Sequence, residues 1–270
     1  MENKTQALAA LNIPRSNFYY KSLKDEKDME LKVTIEKVLE TNPSYGHRRL
    51  AIELQTNKKK IKRVMRKYDI RPRRCRKKPV FRLSKDTEPG SDNLLISLFP
   101  LFKNHVWITD FTYLTWRGRF IYLCTVMDLY TREVVGIAIK TNHSALLVCE
   151  ALLNAVNAEG SVQIIHSDQG SEYRSKLFRS ILADTKILQS MSAKGSPWQN
   201  AFQESFYGNF KVDLGDANRF ATLGELISEL YRSIYYYNHN RIHLSPGCAP
   251  KQFAQKAHAT YNLNQEILTV

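Results

Sequence analysis

Three acidic side chains stand where a surface carboxylate is not expected. Asp110 lies inside the apolar run Val106-Trp-Ile-Thr-Asp-Phe-Thr-Tyr113. Asp168 sits in His166-Ser-Asp-Gln-Gly170, and Glu204 follows 36 positions later in Asn200-Ala-Phe-Gln-Glu-Ser-Phe-Tyr207. A lone charge in an apolar strand is costly to bury without a partner. If the three converge, each pair repels by roughly 4 kcal/mol at 4 Å in a protein-like dielectric, so the cluster must take up protons or a divalent cation. Hard carboxylate oxygens suit Mg²⁺ or Mn²⁺. Two such ions about 3.5–4 Å apart activate an attacking oxygen and stabilise a leaving one during in-line displacement at phosphorus. A single carboxylate carries no such reading, because most are surface residues. Asp128 also ends an apolar run, yet it precedes Leu-Tyr-Thr-Arg132, where an aspartate commonly just makes a turn hydrogen bond.

Positioning these groups requires a particular order of elements. Asp110 belongs to a strand over 106–114, joined through the compact turn Trp116-Arg-Gly118 to a strand over 120–129; a third strand covers 133–139. A helix over 144–158 stops at Gly160, and a short buried strand over 162–166 presents Asp168 just past its end. A helix over 176–184 and a strand over 187–190 follow. Three antiparallel strands followed by alternating helices and strands make a mixed α/β layout of the ribonuclease-H kind. Ser196-Pro-Trp-Gln199 has the form of a capping box and starts a helix at Pro197. Asn200, Glu204 and Lys211 then fall close to one stripe, with Lys211 facing a DNA backbone rather than the metals. Thr222-Leu-Gly-Glu225 repeats the capping pattern before a helix through Tyr237, and the tail over 238–253 has loop chemistry.

The front of the chain has a different texture. Residues 1–90 hold 24 Lys and Arg against 11 Asp and Glu; residues 91–270 hold 16 against 15. A basic front on a near-neutral back reads as a polyanion-binding module joined to a second unit. Leu31, Ile35, Val38 and Leu39 keep helical spacing over 28–40, ended by Pro43; Tyr45-Gly46 makes a corner before a helix over 47–55. Asn57 can cap a third helix that turns Ile61, Val64, Met65 and Tyr68 inward. This is the helix-turn-helix plan. Its last helix displays Lys58, Lys59, Lys60, Lys62, Arg63, Arg66 and Lys67, flanked by Arg48 and Arg49 and by Arg73 and Arg74. Any one of these is as well explained as a solvated side chain; together they predict contact with the phosphates of double-stranded DNA. The expected organisation is an arm over 1–27, a basic helix-turn-helix domain over 28–78, a linker over 79–104 with a short helical piece near 94–99, a catalytic core over 105–213 and a C-terminal helix and tail over 214–270.

Cys75, Cys124, Cys149 and Cys248 form no CxxC pair and no zinc-finger spacing, which argues against a disulfide scaffold or structural zinc. No apolar run reaches the length of a membrane span, so the expected setting is the cytoplasm, at the nucleoid.

Taken together, Trp107-Ile-Thr-Asp-Phe-Thr-Tyr113, His166-Ser-Asp-Gln-Gly-Ser-Glu-Tyr173 and Gly195-Ser-Pro-Trp-Gln-Asn-Ala-Phe-Gln-Glu-Ser-Phe-Tyr207 with Lys211 resemble the three blocks of IS3-type insertion-sequence transposases, in the retroviral-integrase superfamily. The 35 residues between Asp168 and Glu204 match the family spacing. Pro43-Ser-Tyr-Gly-His-Arg-Arg49 resembles the family's helix-turn-helix block, and Tyr237-Asn-His-Asn-Arg-Ile-His243 its tail. The resemblance implies a ribonuclease-H-like core preceded by a helix-turn-helix domain, with Asp110, Asp168 and Glu204 as the catalytic and metal-binding triad. It implies strand cleavage by water and then strand transfer by the freed 3′-hydroxyl, acting on element ends and target DNA as a homo-oligomer. It also implies that this chain corresponds to the second of two reading frames, with an upstream-frame protein or fusion as partner. Two other readings share parts of the pattern: a ribonuclease-H-type nuclease acting on RNA–DNA hybrids, and a DNA-binding regulator with an inactive catalytic fold. The basic front speaks against the first, and the complete set of carboxylates against the second.

Overall fold

The computed structural model describes residues 24–74, 93–96, 98–192 and 201–257. Residues 1–23 of the expected arm, Cys75, the capping box at 196–199 and Asn200 lie outside the described residues, and 24–27 belong to the first helix. The chain divides into two compact units, Met1–Pro72 and Arg73–Val270.

The first unit holds three helices: α1 (Lys24–Thr41), α2 (His47–Glu53) and α3 (Lys58–Lys67). Ile35, Tyr45, Leu50, Ile61 and Val64 are fully buried and form its small core. Asn57 caps α3 by accepting the Lys59 N–H at 2.8 Å. α1 starts four residues earlier than the apolar spacing indicates, because its first turn is anchored electrostatically. Asp25 and Glu26 suit the positive end of the helix dipole, and Asp25 receives Lys67 Nζ at 2.5 Å. One turn on, Asp28 is buried on the inward face and takes both Arg63 Nη atoms at 2.5 and 2.6 Å, with Lys67 at 3.2 Å. The Arg63 guanidinium beside it holds the Asp28 carboxyl down at about 2.

The second unit is built on one five-stranded sheet in the order β3-β2-β1-β4-β5. Its strands are β1 (Val106–Trp116), β2 (Arg119–Asp128), β3 (Val134–Lys140), β4 (Ile164–Ser167) and β5 (Leu188–Met191). β1, β2 and β3 are antiparallel, and β4 and β5 run parallel to β1. This is the mixed sheet the sequence predicts. Alternation along the strands divides the core. Val106, Ile108, Leu114, Leu123 and Met127 face α6 (Ala201–Leu214) and α7 (Leu223–His239). Trp107, Cys124, Val126 and Ala138 face α4 (Ala145–Glu159) and α5 (Lys176–Thr185). α4 lies so close to β3 that a Cβ at Gly136 would meet the Ala151 carbonyl oxygen at 2.3 Å. Thr222 caps α7 by accepting the Glu225 N–H, while Glu225 reaches back to the Ala221 N–H.

The linker carries its expected short helical piece, and the tail is more ordered than its loop chemistry suggests. Within the expected linker, a 3₁₀ turn at Leu94–Ile96 docks on the sheet, and the Leu94 N–H donates to Ser190 Oγ at 3.0 Å. In the tail, the turn over 243–248 is closed by His243 N–H to the Cys248 carbonyl, and a helix over 250–257 begins at Pro250. Proline fits the first helical turn, where no backbone donor is needed. Arg241, almost fully buried, pairs with Asp213.

Candidate active site

β4 pairs with β1 only from Val106 to Ile108, opposite Ile164 to His166. Beyond Ile108 this edge of β1 is open, and Asp110 is two residues past that point. Asp168 follows the end of β4, so the two strands deliver their aspartates to the same end of the sheet. Asp110 is half-buried, and its Oδ1 accepts the Phe111 N–H at 2.8 Å. Asp168 opens a tight turn in which its Oδ1 accepts the Gly170 N–H at 2.9 Å. A side chain at residue 170 would crowd that carboxylate, since a Cβ there would stand 3.0 Å from Asp168 Oδ1 and 3.2 Å from Glu172 Oε2. Glu172 is held by His143 Nδ1 at 2.9 Å and by the Ser171 hydroxyl at 3.0 Å.

Glu204 is exposed in the first turn of α6. Its helix is registered against β1 by two residues on the adjoining stripe that the sequence reading did not single out. Gln203, fully buried, donates from Nε2 to the Ile108 carbonyl at 3.0 Å and accepts the Thr125 hydroxyl at 3.1 Å. Tyr207 donates its hydroxyl to the Asp110 carbonyl at 2.5 Å and accepts the Thr125 N–H at 3.2 Å. Gln203 and Tyr207, four apart on the side of the helix that also carries Phe206 and Phe210, are the signal that could have revealed them, because their polar atoms interrupt a buried stripe.

Electrostatics link the three carboxylates. Burial pushes the Asp110 carboxyl up to about 7, with the charges of Asp168 and Glu204 adding to the effect and the Phe111 N–H opposing it. Burial also raises Asp168, reinforced by Glu172. The groups feel one another without closing on a common point: among the described residues no three His, Cys, Asp or Glu side chains are gathered to hold a metal ion. The donor set nonetheless fits a divalent cation. It offers only hard oxygens, and bringing a cation to it would relieve the repulsion that raises Asp110.

The remaining predicted residues fall in different places. Lys211 is on α6, with its ammonium 5.2 Å from the centroid of the Tyr113 ring. Lys58, Lys59, Lys60, Lys62 and Arg66 are exposed along α3, Arg48 is exposed on α2, and Arg73 and Arg74 are exposed beyond α3. Arg49 lies 5.7 Å from the Tyr45 ring. Arg63 and Lys67 depart from this set, because both engage buried Asp28 and tie α3 to α1. Asp128 keeps the turn role expected of it: it is buried and accepts the N–H groups of Asn104, Tyr130 and Thr131. His166 is buried in β4 with Nδ1 2.8 Å from Ser190 Oγ, and burial holds its imidazole down at about 4, so it is neutral at physiological pH.

Comparison with known proteins agrees with this architecture. Two family models, both described as integrase core domain, match residues 102–197 and 185–250. The InsK protein of insertion sequence element IS150 from Escherichia coli K12 is 32% identical over 94% of this chain and 94% of its own length. InsF, the transposase of IS3A from the same strain, is 31% identical over 78% of this chain and 77% of its own length. Among solved structures, a chain of the simian T-cell lymphotropic virus intasome, in complex with PP2A regulatory subunit B56 gamma, superposes with a TM-score of 0.50. That match covers 77% of this chain and 70% of the intasome chain at 15% identity, and speaks to the fold alone.

Proposed function

The chain belongs to the IS3-like insertion-sequence transposases with an integrase core, and from that premise we propose that it is a metal-dependent polynucleotidyl transferase whose triad is Asp110, Asp168 and Glu204. The observation that carries the assignment is that β1 and β4 run parallel and bring Asp110 and Asp168 to the same end of the sheet, where burial, with the charges of Asp168 and Glu204 adding to it, lifts Asp110 to about 7. A strand interior, a strand end and a helix first turn supply them from three separate elements.

Asp110, Asp168 and Glu204 would hold Mg²⁺ or Mn²⁺, which when bound supplies activation of the attacking oxygen and charge neutralisation at the leaving one. The chain's own contribution is placement. Gln203 and Tyr207 fix the face of α6 that presents Glu204, and the Gly170 N–H orients the Asp168 carboxylate. Lys211 contributes positive charge toward the phosphate backbone. In the first reaction water attacks a phosphodiester, leaving a 3′-hydroxyl and a 5′-phosphate. In the second that hydroxyl attacks another phosphodiester and displaces its 3′-oxygen, so one P–O bond forms as one breaks and no external energy source is needed. Exposed lysines on α3 bind duplex DNA through its phosphates.

The test is joining of a labelled 3′ DNA end, taken from the sequence flanking the reading frame, to a duplex target in Mg²⁺ or Mn²⁺. Joined products from duplex, with no preference for an RNA–DNA hybrid, are expected. Cleavage confined to hybrids would instead assign a ribonuclease-H-type nuclease.

A further inference from the structure

Beyond the end of β4, the β1–β2 hairpin carries a group of aromatic rings that the core does not consume. Tyr113 is 48% and Phe120 52% exposed, and their centroids stand 4.9 Å apart at an interplanar angle of 71°. Tyr113 faces Tyr122 across the strands, so the three rings share one face of the hairpin. Tyr122 lies 5.2 Å from the ring of His143, and the Phe111 and His143 rings are nearly parallel at 6.2 Å. Arg119, Phe120, Tyr122, Thr141, Asn142 and His143 line an open cleft of about 460 Å³ here. Arg119 is exposed at the rim, and Lys211 stands beside the Tyr113 ring.

This face borders the carboxylates at the Asp168 turn, while the Asp110 side chain leaves β1 on the opposite face of the strand. Tyr113 is three residues along β1 from Asp110, a rise of roughly 10 Å. Phe111 is Asp110's neighbour in the chain, and His143 bonds to Glu172, which crowds Gly170 beside Asp168. Exposed aromatic rings flanked by cations match one chemistry in particular: ring faces stack on bases, and the cations offset the phosphates between them. Only unpaired bases can use such a surface, because in a duplex the base faces are already stacked on one another.

We propose that the face formed by Tyr113, Phe120, Tyr122 and His143 binds unpaired nucleotides of the DNA strand next to the phosphodiester being processed. Arg119 and Lys211 meet the adjoining phosphates. The proposal rests on the polynucleotidyl-transferase reading for its location, but its binding test is independent of catalysis.

The experiment uses the full chain without divalent metal. A fluorescein-labelled 12-nucleotide oligothymidylate and a blunt duplex of 30 base pairs are titrated by anisotropy. Tyr113→Ala and Phe120→Ala should each weaken oligothymidylate binding roughly 5- to 100-fold, the loss of about one stacked base. Duplex binding should be unchanged, and Tyr113→Phe should keep near wild-type affinity for both probes. Both residues are exposed, and unchanged thermal melting of the variants checks the fold. Equal losses on the two probes, or no loss on the single strand, overturn the proposal. So does dissociation of an oligomer by Phe120→Ala in light scattering with oligothymidylate binding intact, which would make the face a protein interface. If the wild-type chain binds oligothymidylate through these rings yet never joins DNA ends in Mg²⁺ or Mn²⁺, the transferase reading fails and the aromatic face stands. If it joins ends and the variants bind normally, the reverse holds.

Discussion

Tyr207 shows how a residue that does no chemistry can set where chemistry occurs. Its hydroxyl reaches the backbone of Asp110 at 2.5 Å, so the helix carrying Glu204 is tied to the strand carrying the first aspartate. Burial raises the Tyr207 phenol well above its ordinary value and keeps it a donor. Tyr207→Phe leaves a buried carbonyl without that donor, at a cost of about 1–3 kcal/mol. The expected result is a lower melting temperature and a higher metal concentration for half-maximal strand joining, with duplex binding intact. A purely structural role would lower the melting temperature and leave the metal dependence where it was. At this scale the sequence was legible where a residue's type clashed with its surroundings, as for Asp110 in an apolar strand. Gln203 and Tyr207 were harder to read because their partners are backbone groups of Ile108, Asp110 and Thr125, which no side-chain pattern advertises.

Helices and strands were legible in proportion to their periodicity. β1 and β2 emerged from alternation and from a turn in which Arg117 and Gly118 both take positive φ, the pairing that a two-residue hairpin favours. The start of α1 lies before its first apolar position because charge, not apolar spacing, extends it. Asp28, read only as the first residue of a helix, is in fact the buried anchor for Arg63 and Lys67. Its carboxyl titrates at about 2 in the folded chain, against roughly 3.9 when unfolded. A carboxylate with a depressed folded value stabilises the fold above its unfolded pKa, and the contribution is lost as pH falls toward the folded one. Wild type should therefore melt above Asp28→Asn at pH 6, and the gap should shrink between about pH 4 and pH 2. A gap that stays constant to pH 2 would mean that the ion pair does not govern the stability of this unit. Pro and Gly content gives the tail as loop and the linker as loop around one short helical piece, and it does not register the bond from Leu94 to Ser190 or the Arg241–Asp213 pair.

The whole molecule separates two kinds of electrostatics. The excess positive charge sits in the first 90 residues, while residues 91–270 are close to neutral and place the charges of Asp168 and Glu204 near buried Asp110. Phosphate binding through the α3 lysines should be salt-dependent, with log affinity falling by about 0.9 per contacted phosphate for each unit of log salt. Replacing Lys58 and Lys62 by alanine should weaken duplex binding and flatten that slope by one to two contacts' worth. Turnover of DNA supplied at saturating concentration should persist. An unchanged slope would remove these lysines from the interface. Composition alone indicated this division of labour, and no helix among the described residues is long and apolar enough to cross a membrane.

The central claim is that Asp110, Asp168 and Glu204 act as one metal-binding catalytic unit. It is tested most directly by Mn²⁺-dependent joining of a labelled 3′ end with Asp110→Asn, Asp168→Asn and Glu204→Gln, measured beside duplex binding by the same preparations. The account predicts that each variant binds duplex like wild type and forms no joined product. Joining by any one of the three at a rate near wild type would contradict it.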